Sequence, residues 1–148
     1  MAEPGKLYLV STPIGNFEDL STRAVRVLSE VDEVVCEELR VGSTLMKRLG
    51  IQTSITLLNE HNESVQTSGL LKALQQGRSL ALISDAGTPV FADPGLKLVR
   101  GAALIKARVI PVPGASSLMS ALVCSGFSLK EFHYAGFLPR QSKARQIR

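Results

Sequence analysis

Residues 80–95 read LALISDAGTPVFADPG, a short apolar run followed by a loop rich in glycine, proline and aspartate. The apolar residues 80–83 are typical of a strand that is buried on both faces of a parallel sheet. Aspartate is a favoured helix N-cap and proline favours the first helical position, so Asp93 and Pro94 predict that a helix begins there. This stretch therefore predicts a strand, a rigid loop and a helix in succession, which is the repeating unit of α/β proteins.

The same order recurs along the rest of the chain. Further short apolar runs predict strands at 7–10, 34–36, 55–58 and 109–110. Apolar residues at helical spacing predict helices over 20–31, 41–49, 70–74, 98–105 and 118–123, and a last extended stretch is expected at 132–139. Strict alternation of this kind predicts an α/β fold: a mostly parallel five-stranded sheet flanked by helices.

Length and composition predict one ordinary domain, because 148 residues with 45% hydrophobic side chains suffice for a sizeable core. No apolar run is long enough to cross a bilayer and no signal peptide is recognised, so no membrane association is expected. Cys36 and Cys124 are isolated in sequence, which favours the reducing cytoplasm over a disulfide framework or a metal site.

The positive net charge of +4 has its origin in the last nine residues. The basic side chains there are Arg140, Lys143, Arg145 and Arg148. They could form a solvated tail or contact nucleic-acid phosphates, and so short a segment does not decide between the two.

The loops after the predicted strands point to the kind of ligand. Ligands of parallel sheets bind beyond the carboxyl ends of the strands. The loops at that edge are 11–19, 36–40, 58–63, 84–93 and 111–117, and none of them contains lysine. They offer main-chain groups and small hydroxyls, which suit a flat, mostly neutral ligand such as an adenosine better than a triphosphate. The usual dinucleotide fingerprint (GxGxxG), the P-loop and the GxSxG elbow are all missing.

Six segments at these positions occur in a characteristic order: TPIGNFEDLS, CEELR, NEHNE, SDAGTPVFADPG, VPGASS and GFLP. Together they resemble the tetrapyrrole-methylase superfamily of S-adenosylmethionine-dependent methyltransferases. Within it, the chain is similar to the branch that methylates the ribose 2′-hydroxyl of a cytidine in the 16S rRNA of the small ribosomal subunit. The resemblance runs from about Leu7 to Arg145. It implies an N-terminal methylase domain over 1–139, and a linker beginning at 140–148 toward a second domain.

The resemblance also implies where S-adenosylmethionine would bind, and it implies a homodimer. The residues expected near the cofactor are Pro13, Gly15, Asp85, Gly87, Thr88, Phe91, Ser117 and Leu118. For Asp85 an equally good alternative is that it caps its own loop.

Methylation of a hydroxyl can require a base that accepts the proton. The candidates are Glu60, His61 and Glu63, with Glu37 and Glu38 as further possibilities; all could instead be rim charges or part of a helix N-terminus. Arg23, Arg26 and Arg40 could contact rRNA phosphates or simply be solvated.

Two other functions remain open. One is a methyltransferase of the same superfamily that acts on a tetrapyrrole of the precorrin or uroporphyrin type, or on a modified protein histidine of the diphthine type. The other is a non-catalytic binding or dimerisation module, because this chain alone is expected to have weak activity or none.

Overall fold

A computed structural model of the chain describes residues 3–141 and residue 146. The chain divides into two compact units, Met1–Ser117 and Leu118–Arg148. The first unit contains the sheet. No helix among the described residues has both the length and the apolar character needed to span a membrane.

Strands and helices alternate through the first unit. The strands are β1 (Lys6–Val10), β2 (Glu33–Cys36), β3 (Ser54–Leu57), β4 (Leu80–Ile83) and β5 (Arg108–Val112). The helices are α1 (Thr22–Glu30), α2 (Leu39–Leu49), α3 (Glu63–Gln75) and α4 (Leu96–Leu104), and α5 (Ser117–Cys124) begins at the last residue of the unit. Within the described residues the strands form one five-stranded sheet of order β3-β2-β4-β1-β5, in which all neighbours are parallel. The predicted fold class is confirmed.

The order of the strands places the helices on two faces. The connections from β1 to β2 and from β2 to β3 run one way across the sheet, and the next two connections run back. Because such crossovers are right-handed, the two pairs of helices lie on opposite faces. One core cluster joins α1 and α2 to one side of the sheet, and a second joins α3 and α4 to the other. The loops that follow the neighbouring strands β2 and β4 therefore run to opposite faces of the sheet. Ligands of parallel sheets bind in the crevice that forms between two such loops.

Strand β5 is longer than predicted because it continues through Pro111 to Val112. In the described part of the chain it lies at the edge of the sheet and pairs only with β1. Proline lacks a backbone N–H, and an edge strand tolerates this because one side of it has no partner strand.

Helix α4 corrects the sequence prediction, since it begins at Leu96 with Gly95 as N-cap and not at Asp93 and Pro94. Gly95 has φ 118°, a conformation that glycine adopts readily. The cap comes from another helix: the Glu63 carboxylate accepts hydrogen bonds from the N–H groups of Gly95 (2.9 Å) and Lys97 (3.3 Å). Ser21 is the N-cap of α1, where its side chain accepts from the Ala24 N–H, and α2 ends at Gly50 with φ 69°.

The second unit has no buried side chain among its described residues. After α5, residues 125–141 form neither helix nor strand, so the predicted extended stretch at 132–139 joins no sheet. Large apolar side chains are exposed at Met119, Val123, Phe127, Leu129, Phe132, Tyr134, Phe137 and Leu138. In the basic tail, Lys143, Arg145 and Arg148 lie outside the described residues.

The two cysteines lie in contrasting surroundings, so their reactivity toward a thiol reagent tests whether Cys36 is buried in the core. Cys36 is fully buried and Cys124 is exposed. Burial, followed by the charges of Asp85 and Glu38, raises the pKa of the Cys36 thiol to about 11. At pH 8 we expect a thiol reagent to label Cys124 promptly and Cys36 only on unfolding, because the thiolate is the reactive form. Equal labelling rates, measured by mass spectrometry of peptides, would contradict the burial of Cys36.

The same thiol predicts a pH dependence of stability. The unfolded chain loses this proton near pH 9, whereas the folded chain keeps it until about pH 11. The unfolded state therefore binds fewer protons between these values, and the free energy of unfolding falls as the pH rises from about 9 to about 11. Denaturant titrations at pH 8 and pH 10 should show a smaller fall for Cys36→Ala than for the wild type.

Candidate functional site

The loops after β1 and β4 are joined at the carboxyl edge of the sheet. Thr12 and Gly87 exchange both backbone hydrogen bonds, with N···O distances of 2.9 and 3.1 Å. The Thr12 hydroxyl donates to the Ser84 carbonyl at 3.0 Å, and the Ser84 hydroxyl donates to the Gly87 carbonyl at 3.0 Å. The loop after β4 is therefore closed on itself and fixed against the first loop.

The loop after β5 is attached to the same place. The hydroxyl oxygens of Ser11 and Thr88 lie 3.0 Å apart in a hydrogen bond, and the Thr88 hydroxyl also reaches the Ala115 carbonyl at 3.4 Å. A Cβ added to Gly114 would lie 3.0 Å from the Cβ of Ser11, so a larger residue would require Ser11 to shift by a few tenths of an ångström. We call the joined loops 11–15, 84–88 and 113–116 the rim wall.

Five of the residues predicted to lie near the cofactor fall within the rim wall. Pro13 is half-buried, Gly15, Asp85 and Thr88 are exposed, and Gly87 is buried with φ 87°. The other predicted cofactor residues lie beside it in sequence: Phe91 (exposed), Ser117 (exposed) and Leu118. Of these, Leu118 is the first residue of the second unit. The surface that the rim wall presents is largely main chain and small side chains.

Acidic side chains gather where β2 and β4 end. Burial first, and then the charges of Asp93, Asp85 and Glu60, raise the pKa of Glu37. The pKa of Asp93 is also raised, first by burial and then by Asp85, against a hydrogen bond with Ser84. Carboxyl groups with raised pKa values accept protons more readily near neutral pH than ordinary ones. Their combined charge also favours a cation at this edge.

Asp85 connects the ends of the two strands. Burial raises its pKa most, the backbone N–H of Glu38 donates a hydrogen bond that lowers it, and the Glu38 charge raises it. The loop after β2 thus influences the titration of this carboxylate, while Ser84 closes Asp85's own loop. Sequence reasoning did not find this link, because it joins residues that are far apart in the chain.

The segment NEHNE (59–63) is shaped by its two asparagines. Asn59 Oδ1 accepts from the backbone N–H groups of His61 and Asn62, both at 3.1 Å, and Asn62 Oδ1 accepts from the N–H of Asn59 at 2.8 Å. Glu60 and His61 are exposed at the resulting turn. The predicted candidates Glu60, His61 and Glu63 therefore lie in different surroundings, since Glu63 caps α4.

The contacts of Glu63 predict that this residue stabilises the fold, whether or not it takes part in the chemistry. Its carboxylate accepts two backbone hydrogen bonds and lies 3.7 Å from the Lys97 ammonium. Glu63→Ala should lower the free energy of unfolding by about 1–2 kcal/mol, because the cap of α4 is lost. Glu60→Ala is the matched control, and its exposed side chain predicts a change within about 0.5 kcal/mol. Denaturant titration of both variants decides; equal stabilities would show that the cap contributes nothing.

The three arginines singled out in the sequence lie on two helices. Arg23 and Arg26 are exposed on α1, where Arg26 pairs with Glu30 at 3.4 Å. Arg40 lies in the first turn of α2 and lines a cavity of about 520 Å³ beside the rim wall. Arg48, which the sequence analysis did not select, lines the same cavity; its spacing of eight residues from Arg40 places both on one helix face.

A metal site is not formed by these carboxylates. Within residues 3–141 and 146, no group of three His, Cys, Asp or Glu side chains is arranged to hold a metal ion.

Comparison with known proteins finds relatives that match nearly the whole chain. "Ribosomal RNA small subunit methyltransferase I" from Halalkalibacterium halodurans is 43% identical over 144 residues, which cover 97% of this chain and 50% of that protein. The protein of the same name from Pseudomonas aeruginosa is 44% identical over 144 residues, 97% of this chain and 51% of that protein. The chain thus spans about half the length of the curated relatives it matches.

Solved structures show the same fold. The uroporphyrin-III-C-methyltransferase from Thermus thermophilus superposes with a TM-score of 0.62 at 25% identity, covering 86% of this chain and 55% of that one. The family model for tetrapyrrole (corrin/porphyrin) methylases matches residues 6–147, nearly the whole chain. By that match and by its relatives, the chain belongs to the tetrapyrrole methylase family.

Proposed function

We propose that this chain is the amino-terminal half of a methyltransferase that uses S-adenosylmethionine to methylate the ribose 2′-hydroxyl of a cytidine in 16S rRNA. The observation that carries the proposal is the name shared by relatives that are 43–44% identical over 97% of this chain. In this proposal residues 1–139 are the methylase domain and 140–148 begin the linker to a second domain.

S-adenosylmethionine fits the chemistry of the rim wall. Gly87 and Gly114 expose main chain that a side chain would otherwise cover. A Cβ on Gly87 would lie 3.3 Å from Ile14, and a Cβ on Gly114 would lie 3.0 Å from Ser11. A main-chain surface fixed by hydrogen bonds can bind a nucleoside with little cost of ordering. The acidic side chains nearby favour the sulfonium cation, which supplies an already activated methyl group when the cofactor is bound. The residues proposed to hold it are Pro13, Gly15, Asp85, Gly87, Thr88, Phe91, Ser117 and Leu118.

The base that accepts the proton is proposed to be a side chain at the carboxyl ends of the strands that does not cap a helix. Glu63 caps α4, and the Glu38 carboxylate accepts from the N–H of Arg40 at 3.3 Å at the start of α2. These contacts favour Glu60 and His61 as acceptors of the 2′-hydroxyl proton, with Glu37 as the next candidate. The protein would align the hydroxyl with the methyl group and hold that proton.

The partners follow from the same proposal. The substrate would be 16S rRNA within the small ribosomal subunit, and the protein would act in the cytoplasm. The exposed apolar side chains of residues 118–141 favour a homodimer, because surfaces of this kind often mark interfaces.

Methyl transfer to small ribosomal subunits tests the proposal. The full-length protein is incubated with tritiated S-adenosylmethionine and subunits that lack the modification. We expect label in the 16S rRNA and an alkali-resistant dinucleotide, because a 2′-O-methyl group blocks cleavage of the next phosphodiester. The 148-residue chain alone should transfer weakly or not at all.

One structural likeness supports the alternative of a tetrapyrrole substrate, since the Thermus thermophilus neighbour is a uroporphyrin-III-C-methyltransferase. A parallel reaction with uroporphyrinogen III separates the two functions. Label in the tetrapyrrole and none in the RNA would refute the rRNA proposal. Binding of S-adenosylmethionine without transfer to either substrate would favour a binding module.

A further inference from the structure

We propose that the cavity between the first loop and α2 seats one nucleotide of the substrate RNA, with its phosphate bound by Arg40 and Arg48. This inference rests on the proposed function and assigns a subsite to its substrate. The cavity has a volume of about 520 Å³. Pockets for small ligands measure roughly 300–1,000 Å³, so one nucleotide is an appropriate occupant.

The face of α2 toward this cavity carries the groups that a nucleotide requires. Arg40, Thr44 and Arg48 follow one another at intervals of four residues, and all three line the cavity. Val41 and Leu45 line it as well, as does Ile83 from the end of β4. Donors to an anion thus lie beside an apolar surface on which a base can pack.

The two guanidinium groups have their charge available for an anion. Among the described residues, neither Arg40 nor Arg48 forms an ion pair, whereas Arg26, Arg78 and Lys97 do. The Arg48 guanidinium lies 3.7 Å from the centre of the Phe17 ring, a cation–π contact that orients it without neutralising it. Planar guanidinium groups bind phosphate through paired hydrogen bonds, which makes a phosphodiester the fitting anion.

The opposite side of the cavity favours an occupant that carries a single phosphate over a polyphosphate. Asp85 and Ser84 line it together with Thr12, Pro13 and Gly15 of the rim wall. A carboxylate here repels a polyphosphate but accepts hydrogen bonds from a sugar hydroxyl or a base amino group. Because Asp85 and Gly15 also belong to the proposed cofactor site, the nucleotide would lie beside the place where methyl transfer occurs.

The double variant Arg40→Gln/Arg48→Gln of the full-length protein tests this subsite with small ribosomal subunits as substrate. We expect KM for subunits to rise about tenfold or more, because two charge-assisted hydrogen-bonding groups are lost. The slope of log affinity against log salt concentration should become shallower by about 0.7 to 0.9, the value for one phosphate contact. The dissociation constant for S-adenosylmethionine should change less than about twofold, since neither arginine belongs to the rim wall.

Arg108→Gln is the matched control. Arg108 is an exposed arginine at the start of β5, and the amino-terminal ends of the strands lie away from the cavity. It should leave KM and the salt slope as in the wild type. If the double variant and the wild type have the same KM and the same salt slope, the subsite is overturned. The proposed function still stands in that case, provided that the wild type methylates the RNA. A wild type that does not methylate rRNA would overturn both.

Free cytidine 5′-monophosphate separates an RNA nucleotide from a free one. We expect it to compete with subunits only at millimolar concentration, because the rest of the RNA supplies most of the binding energy. Micromolar competition, together with an unchanged KM for RNA in the double variant, would assign the cavity to a free nucleotide and contradict the inference.

Discussion

Replacing Gly5 with alanine is expected to lower the free energy of unfolding by about 3 kcal/mol or more. Gly5 is buried directly before β1, and its N–H donates to the Leu74 carbonyl at 2.7 Å. A Cβ at this position would lie 1.8 Å from the Arg78 carbonyl oxygen and 2.9 Å from the carbonyl carbon of Gly77. Backbone atoms cannot rotate away as a side chain can, so either β1 or the turn before β4 must move.

Gly69→Ala is the matched control for this substitution. Gly69 lies in α3, and a Cβ there would have no atom within 4 Å. Alanine is the better helix former, so this variant should be stabilised by about 0.5–1 kcal/mol. Denaturant titration of both variants measures the difference. Two variants of similar stability would show that the two backbones do not approach each other as closely as described.

The fold was predictable because its signals are local. Each strand is a short apolar run, and the alternation of strands and helices follows from the order of those runs. Leu80–Ile83 is the clearest case, since all four side chains are buried between helices on both faces. The order of the strands across the sheet was not predicted, because it depends on which apolar surfaces pack together, and many pairings of such similar runs are compatible with the sequence.

The start of α4 was predicted wrongly for a physical reason that also applies to the site. Asp93 and Pro94 carry a good local signal, but the carboxylate that caps the helix is Glu63, 32 residues before Gly95. The link from Asp85 to the Glu38 backbone is equally remote in sequence. Local patterns predicted which loops meet, because parallel strands end at one edge. They could not predict which side chain each loop would bind.

A second substitution tests the rim wall directly. Gly87→Ala in the full-length protein is expected to weaken binding of S-adenosylmethionine about 10- to 30-fold. An alanine at φ 87° costs about 1–2 kcal/mol, and its Cβ would lie 3.3 Å from Ile14 Cγ2. Relief of this strain requires the loop to shift, and the loop is held to Thr12 by the two backbone hydrogen bonds that Gly87 exchanges with it. The surface proposed to bind the cofactor would move with it, and isothermal titration calorimetry measures the result.

Gly50→Ala separates this local effect from strain in general. Gly50 has φ 69° at the end of α2, no atom lies within 4 Å of its added Cβ, and it precedes β3 at the opposite edge of the sheet. Alanine there carries a similar backbone strain, so it should lower stability without changing the affinity for S-adenosylmethionine. Equal affinities in the wild type and both variants would mean that the cofactor does not rest on the loop after β4. Equal losses in both variants would mean that affinity follows overall stability and not the geometry of the rim wall.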